Sequence, residues 1–288
     1  MTIIDAPWIA DDDCETHEWR SAQGETIRFV TRTEAEQRMM PPVTINSIRV
    51  PQSQGASFRG ARHEPRLATI PVVVPGPQAG RDELRRWAKA LDPLKGEGTL
   101  TVVVGPWAGR QLVCVYEAGL EDFAEEWPLL GLTVLGFRAS DPYWQDSLES
   151  SATATIASTG FTWFPFFPLV LGASDVFAQL TINNAGDVDA WPVITVVGPG
   201  TDLHLTNLTT GKEMLLTGAL AAGSTAVIDT RPGHKTVTID GVNVFSRLTA
   251  TSSLWPLVPG PNRVSIGLAT GTAASSVRFA WRNRWLAA

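Results

Sequence analysis

The sequence predicts a mainly all-β protein built from two β-domains. Apolar residues recur at every second position in many short runs. Glycine and proline are plentiful, at 25 and 20 of 288 residues, while charged residues reach only 18%. A single segment shows helical spacing. Alternation with period two suits a half-buried strand, and frequent turn residues at low charge favour short strands over long surface helices. The length allows two domains, each with its own core.

The first domain is expected over 1–150. Ile27 and Phe29, then Ile45 and Ile48 to Val50, then Ile70, Val72 and Val74 form β-type runs separated by Pro41-Pro42, Gln52 to Gly55 and Pro75-Gly76-Pro77. Leu100, Val102 and Val104 alternate, as do Leu112, Cys114 and Tyr116, with Gly105-Pro106-Trp107-Ala108-Gly109 as the hairpin loop between them. A long strand over 127–139 completes the sheet. The exception lies at 81–91, where Leu84, Trp87, Ala88 and Leu91 fall at i, i+3, i+4 and i+7 on one helix face. Gly80 suits the N-cap, Asp82 and Glu83 suit the positive end of the dipole, and Asp92-Pro93 ends the helix. Trp87 is expected to pack against the sheet. Residues 1–40 read as an ordering arm or a peripheral strand.

The small, polar stretch 147–159 sets the boundary near Ser150, and the second domain is expected over 151–288. An aromatic run follows at 161–171, far short of the ~20 residues a spanning helix needs and broken by Pro165 and Pro168. It reads as a seam buried between domains or subunits, with no membrane anchoring. From Gln179 onward no helical period occurs. Strands are expected at 181–183, 193–197, 203–205, 214–216, 226–229, 236–239, 264–268 and 277–281, with turns at Arg231-Pro232-Gly233 and Pro259-Gly260-Pro261-Asn262. Short strands at near-regular spacing predict an antiparallel β-sandwich.

Charge and chemistry exclude several classes. A net charge of −6 does not suit a protein that grips phosphate backbones. Arg81, Arg85 and Arg86 cluster, as do Arg59, Arg62 and Arg66, but Glu64, Asp82 and Glu83 lie among them, which reads as a mixed-sign face or a subunit contact. Cys14 and Cys114 offer at most one bridge and no metal pattern. The acidic residues Asp5 and Asp11 to Asp13 do not suit a secretory signal, so folding in a cytoplasm is expected. His17, His63, His204 and His234 lack metal-ligand spacing. Asp187-Val188-Asp189 lacks the glycine and closing glutamate of a calcium loop and reads as an Asx-type turn. Thr210-Gly211-Lys212 lacks the first glycine and the hydroxyl residue of a P-loop.

No GxSxG elbow is present, and Glu121-Asp122 and Glu125-Glu126 read as solvated loop charges rather than a glycosidase pair. No catalytic, cofactor-binding or metal site is therefore assigned, and no enzyme is expected. The 11 tryptophans leave two readings open. Trp163, Trp255 or Trp281 would serve as a sugar-stacking platform, or tryptophans fill cores and interfaces, the role that suits Trp191 and Trp281.

Several motifs, in order, resemble the phage distal tail protein family, the siphovirus-type tail component. They are Gly60-Ala61-Arg62-His63-Glu64-Pro65-Arg66, Leu91-Asp92-Pro93-Leu94-Lys95-Gly96, Arg110-Gln111-Leu112 and Gly136-Phe137-Arg138-Ala139 before Asp141-Pro142-Tyr143-Trp144. In the second half, Asn184-Ala185-Gly186-Asp187-Val188-Asp189-Ala190-Trp191-Pro192, Gly198-Pro199-Gly200 and Leu257-Val258-Pro259-Gly260-Pro261-Asn262 continue the series. The resemblance implies an N-terminal β-sandwich or split barrel with one short helix, assembling into a ring, usually a hexamer, under a tail tube. It implies a C-terminal galectin-like β-sandwich facing outward, where hub and receptor-binding proteins attach. It further implies a virion location at the tail tip, assembly in the bacterial host cytoplasm, and a ring that lets DNA pass without specific nucleic-acid binding. The runner-up is a carbohydrate-binding adhesin using the C-terminal sandwich.

Overall fold

The computed structural model describes residues 15–31, 39–49, 51–52, 54–75, 79–104, 108–121, 130–155 and 176–288. The chain divides into two compact units, one of Met1–Ser147 with Trp285–Ala288 and one of Leu148–Arg284. In sequence, the second unit is an insertion into the first.

Unit 1 contains β1 (Glu15–Arg20), β2 (Thr26–Thr31), β3 (Val43–Ile48), β4 (Ser57–His63), β5 (Arg66–Pro75), α1 (Ala79–Ala90), β6 (Gly98–Val104), β7 (Arg110–Ala118), β8 (Leu130–Ala139) and β9 (Trp144–Asp146). One sheet runs in the order β2-β1-β6-β7-β8-β5, with β9 paired to β7. β2 and β5, the ends of this path, lie against each other, so the sheet curls toward a barrel. The expected alternation places Ile70 and Val72, Leu100 and Val102, Leu112 and Cys114, and Leu135 and Phe137 in a common core. Trp87 of α1 joins them, meeting Phe29 edge-on with ring centroids 5.2 Å apart. Its indole donates to the Glu83 carboxylate one turn earlier, at 3.0 Å.

Three details depart from the sequence expectations. Of the two strands within 1–40, β2 ends the sheet path, whereas β1 lies between β2 and β6 and is not peripheral. Only His17 and Trp19 of β1 are buried, too few to register as an alternating apolar run. Gly98 accommodates this tryptophan, since a Cβ there would stand 2.3 Å from its ring. α1 begins at Ala79, so Gly80 lies inside the helix and not at its cap. Asp92, beyond the helix, instead caps a separate 3-10 turn over Pro93–Lys95, its side chain accepting from the Leu94 amide at 3.0 Å. Residues 127–129 of the expected long strand lie outside the described residues.

Unit 2 contains β10 (Ser150–Thr155), β11 (Val176–Asn184), β12 (Val193–Val197), β13 (Gly200–Asn207), β14 (Lys212–Leu220), β15 (Thr225–Asp229), β16 (Thr236–Ile239), β17 (Val242–Asn243), β18 (Gly260–Ala269) and β19 (Ser276–Trp281). Its strands form two sheets, β10-β19-β12-β15-β16-β17 and β11-β18-β13-β14. Ile194, Val196, Ile228 and Phe279 from one sheet and Leu205, Met214, Val264 and Ile266 from the other share one buried core. This is a two-layer sandwich. Its pairing is antiparallel throughout the described ladders, as short strands joined by tight turns require.

Two segments read as non-strand are strands. Residues 150–155 form the edge strand β10, whose Ser-Ser-Ala-Thr-Ala-Thr composition hides its alternation because Ala152 and Ala154 are its only apolar contributions to the core. The expected turn at 259–262 is already β18 from Gly260, paired to Asn184 across the ladder. The aromatic run 161–171 lies outside the described residues.

Candidate assembly surface

Three of the family-like motifs of unit 1 meet at one buried side chain, Arg66, which pairs with Ala139 across the ladder and bonds Pro142. Arg66 is fully buried and its guanidinium donates to three main-chain carbonyls, those of Pro142 at 2.8 Å, Met39 at 3.1 Å and Leu286 at 2.6 Å. Burial pushes its pKa down to about 10, still well above neutrality. Beside it, His63 Nδ1 and the Tyr143 hydroxyl are 2.7 Å apart. Arg110 stacks over the Trp285 ring at 4.2 Å and donates to the Ala287 carbonyl. Trp285 in turn donates its indole N–H to Asp146 at 2.7 Å. Arg66 of the Glu-Pro-Arg motif, Arg110 of Arg-Gln-Leu and Asp146 thus fasten the last four residues onto the rest of unit 1. Arg59 and Arg62 are exposed, so the expected cluster with Arg66 is split between surface and interior.

The motifs of unit 2 are likewise polar pins. Asn184 is buried, donating to the carbonyls of Val188 and Leu257 at 2.9 Å each and accepting from the Gly186 amide at 3.0 Å. This Asx turn uses Asn184 and neither aspartate of the Asp187-Val188-Asp189 triplet. Gly186 is required by close approach, because a Cβ there would stand 2.4 Å from the Arg284 carbonyl oxygen. Asn262, also buried, donates to the carbonyls of Val258 and Gly260 and accepts from the Val258 amide and from Asn207. Thr210-Gly211-Lys212 is the tip of the β13–β14 hairpin, with Asn207 accepting from the Thr209 and Thr210 amides.

The residues singled out for chemistry take structural places. Cys114 is a free, buried thiol whose pKa burial pushes up, and Cys14 lies outside the described residues. Glu121 accepts from the Tyr116 hydroxyl and the Gly119 amide, which holds its carboxyl below the usual range; Asp122, Glu125 and Glu126 lie outside the described residues. His17 is buried near Glu15, while His204 faces Glu213 on the exposed side of β13 and β14. His234 is exposed. Trp255 and Trp281 are buried at 0% and 6% exposure, which removes both as a sugar-stacking platform. Trp191 is only half-buried, with the Lys235 ammonium 6.0 Å from its ring, so the core tryptophans of unit 2 are Trp255 and Trp281 and not Trp191. Its neighbour Pro192 takes the buried position instead, which a tryptophan count cannot reveal. Trp163 lies outside the described residues.

What the surface offers is apolar area. β3 and β4 form a hairpin that pairs with no other strand among the described residues. Every β3 side chain is exposed, including Ile45 at 65%, and Phe58 of β4 is exposed at 67%. On unit 1's main sheet, outward-facing Val134 and Val103 are exposed at 50% and 38%. No group of three or more metal-ligating side chains occurs among the described residues, nor any helix long and apolar enough to cross a membrane. Among the described residues, this geometry is suited to association through surfaces.

Residues 185–285 match the family model of the siphovirus-type tail component, C-terminal domain. Comparison with curated proteins found no match. The fold is similar to that of SPP1 Dit (gp 19.1), described as a paradigm of the hub adsorption apparatus in phages infecting Gram-positive bacteria. The TM-score is 0.65 at 14% identity, covering 92% of this chain and 98% of that one. It is also similar to a chain of the phage P2 baseplate in its activated conformation with calcium, with a TM-score of 0.53 at 9% identity over 94% of this chain and 98% of that one. The resemblance to siphovirus-type tail components is thus carried twice, by the family match within unit 2 and by a shared all-β fold over nearly the whole chain.

Proposed function

We propose that this chain is a structural virion protein, a distal-tail hub adaptor that joins the tail tube of a long-tailed phage to its baseplate or host-recognition components. The observation that carries the reading is the two-unit β architecture, aligned end to end with SPP1 Dit, together with a tail-component family match in unit 2. A non-enzymatic role is supported by what the motifs do: their polar residues hold backbone segments together.

In this reading the first domain, 1–150 by sequence, closes a homo-oligomeric ring of six copies. The second, 151–288 by sequence, is a galectin-like sandwich directed toward the hub and receptor-binding proteins. The ring assembles in the host cytoplasm, sits at the tail tip and passes DNA without binding it specifically, in keeping with the net charge of −6. The purified protein is expected to sediment as a closed oligomer at micromolar concentration and to show rings by negative-stain microscopy. A strict monomer, together with absence from purified virions, would overturn the assignment.

A further inference from the structure

We infer that residues 285–288 are a strap that seats in unit 1 only after unit 2 has folded, so that unit 2 controls when unit 1 is completed. The inference concerns how the chain closes on itself and does not depend on the tail reading above.

The strap is held by side chains far away in sequence. Trp285 packs against the unit 1 core, lies under the Arg110 guanidinium and donates its indole N–H to Asp146. The Leu286 carbonyl accepts from Arg66 and the Ala287 carbonyl from Arg110, across 220 and 177 positions. Ala288 is buried in the same core at 1% exposure. Trp-Leu-Ala-Ala is too short to hold a structure of its own, so it gains order only by reaching this seat, and reaching it means closing a loop.

The size of that loop depends on unit 2. With 148–284 unfolded, the strap hangs at the far end of a loop of roughly 140 residues. In folded unit 2, β10 and β19 pair with Ser150 opposite Trp281, and Arg278 bonds Glu149 at 3.0 Å. Arg284 is fixed just beyond them, its carbonyl accepting from the Asp187 amide at 2.8 Å and its guanidinium donating to the Asp189 carbonyl at 2.9 Å. Folding of unit 2 therefore draws together the two points at which the chain leaves and rejoins unit 1, and the effective loop shrinks to about ten residues. Closure falls with about the three-halves power of loop length, so the strap finds its seat roughly 50-fold more readily once unit 2 has formed. Synthesis acts in the same direction, because 285–288 follow unit 2 along the chain. Unit 1 begins first and is completed last. By linkage a seated strap also steadies unit 2, since it holds the ends of 148–284 together.

The test uses the full chain, with exchange of the Trp285 indole proton and of the β9 amides reporting on the strap, and of β12 and β18 reporting on unit 2. In refolding from urea with pulsed exchange, unit 2 is expected to gain protection before the Trp285 indole does; the reverse order overturns the proposal. At equilibrium, a flexible glycine-serine spacer of about 60 residues between Arg284 and Trp285 keeps both cores and every strap contact while lengthening the closed loop about sevenfold. The Trp285 indole is expected to exchange up to roughly 20-fold faster, and an unchanged rate overturns the proposal. A third variant separates loop closure from the folding of unit 2 itself. Ile194→Asp places a charge in the sandwich core, and Ser151→Cys with Ala280→Cys, at cross-strand partners, lets a disulfide close the loop whether or not unit 2 is folded. In this triple variant, with Cys14→Ser to remove a competing thiol, the strap is expected to exchange up to roughly 50-fold more slowly oxidised than reduced. Equal exchange in the two states overturns the proposal, and where Ile194→Asp precipitates, the spacer variant, with both cores intact, decides.

Discussion

Trp255 and Trp191 separate two roles that one residue type can play. The Trp255 ring is wholly buried and stacks on Phe279 at a centroid distance of 6.3 Å, whereas Trp191 is only half-buried, with the Lys235 ammonium 6.0 Å from its ring. Truncating a buried indole removes its transfer energy and leaves a cavity, so Trp255→Ala is expected to destabilise the protein by ~3–5 kcal/mol. Trp191→Ala forfeits only part of a half-buried ring and a distant cation–π contact, and is expected to cost about 1 kcal/mol. Urea unfolding of both variants checks the order; equal losses would mean that the packing around the two rings has been misjudged. Sequence alone favours Trp191 because it sits beside Pro192 ahead of a strand. The structure shows that the buried member of that pair is the proline.

At the scale of elements, alternation is legible where branched or aromatic residues supply it and lost where small or polar ones do. β12 and β16 stand at the limits that their valines, isoleucines and threonines define, at Val193–Val197 and Thr236–Ile239. β1 and β10 are hidden because their inward residues are His17 and Trp19 in one and two alanines in the other. Of the β3–β4 hairpin only β3 is legible, from Ile45 and Ile48, whereas β4 is hidden because Phe58 and Ala61 are its only apolar residues beside a glycine. The binding of the last four residues is even less local: Arg66 reaches the Leu286 carbonyl across 220 positions and Arg110 reaches Ala287 across 177. No sequence period encodes such contacts. Deleting 285–288 would strip the buried guanidinium of one acceptor and unstack Trp285, and a buried charge that loses a partner is costly. Unit 1 is expected to lose ~2–4 kcal/mol, seen as an earlier unfolding transition and faster amide exchange in β5 and β9. Loss confined to unit 2 would contradict the placement of the tail.

For the whole molecule, the insertion of one unit into the other determines how their roles can be divided experimentally. A cut at 150 leaves the first fragment without 285–288, so failure of that fragment would say nothing about which unit closes the ring. The geometry offers a cleaner excision. Asp146 accepts from the Trp285 indole at 2.7 Å, so 147 can be joined to 285 by a short glycine-serine linker. In unit 2, Ser150 pairs with Trp281 and Arg278 bonds Glu149 at 3.0 Å, so the excised 148–284 has its ends side by side. Each piece then keeps its own core and its own hydrogen-bonded pins. The joined unit 1 is expected to form the ring alone at micromolar concentration. The excised unit 2 is expected to be a soluble monomer, because its described large apolar side chains lie mainly in the sandwich core. Sedimentation with negative-stain microscopy tells a defined ring from aggregate. A ring formed by 148–284, with a monomeric joined unit 1, would reverse the roles assigned to the two units.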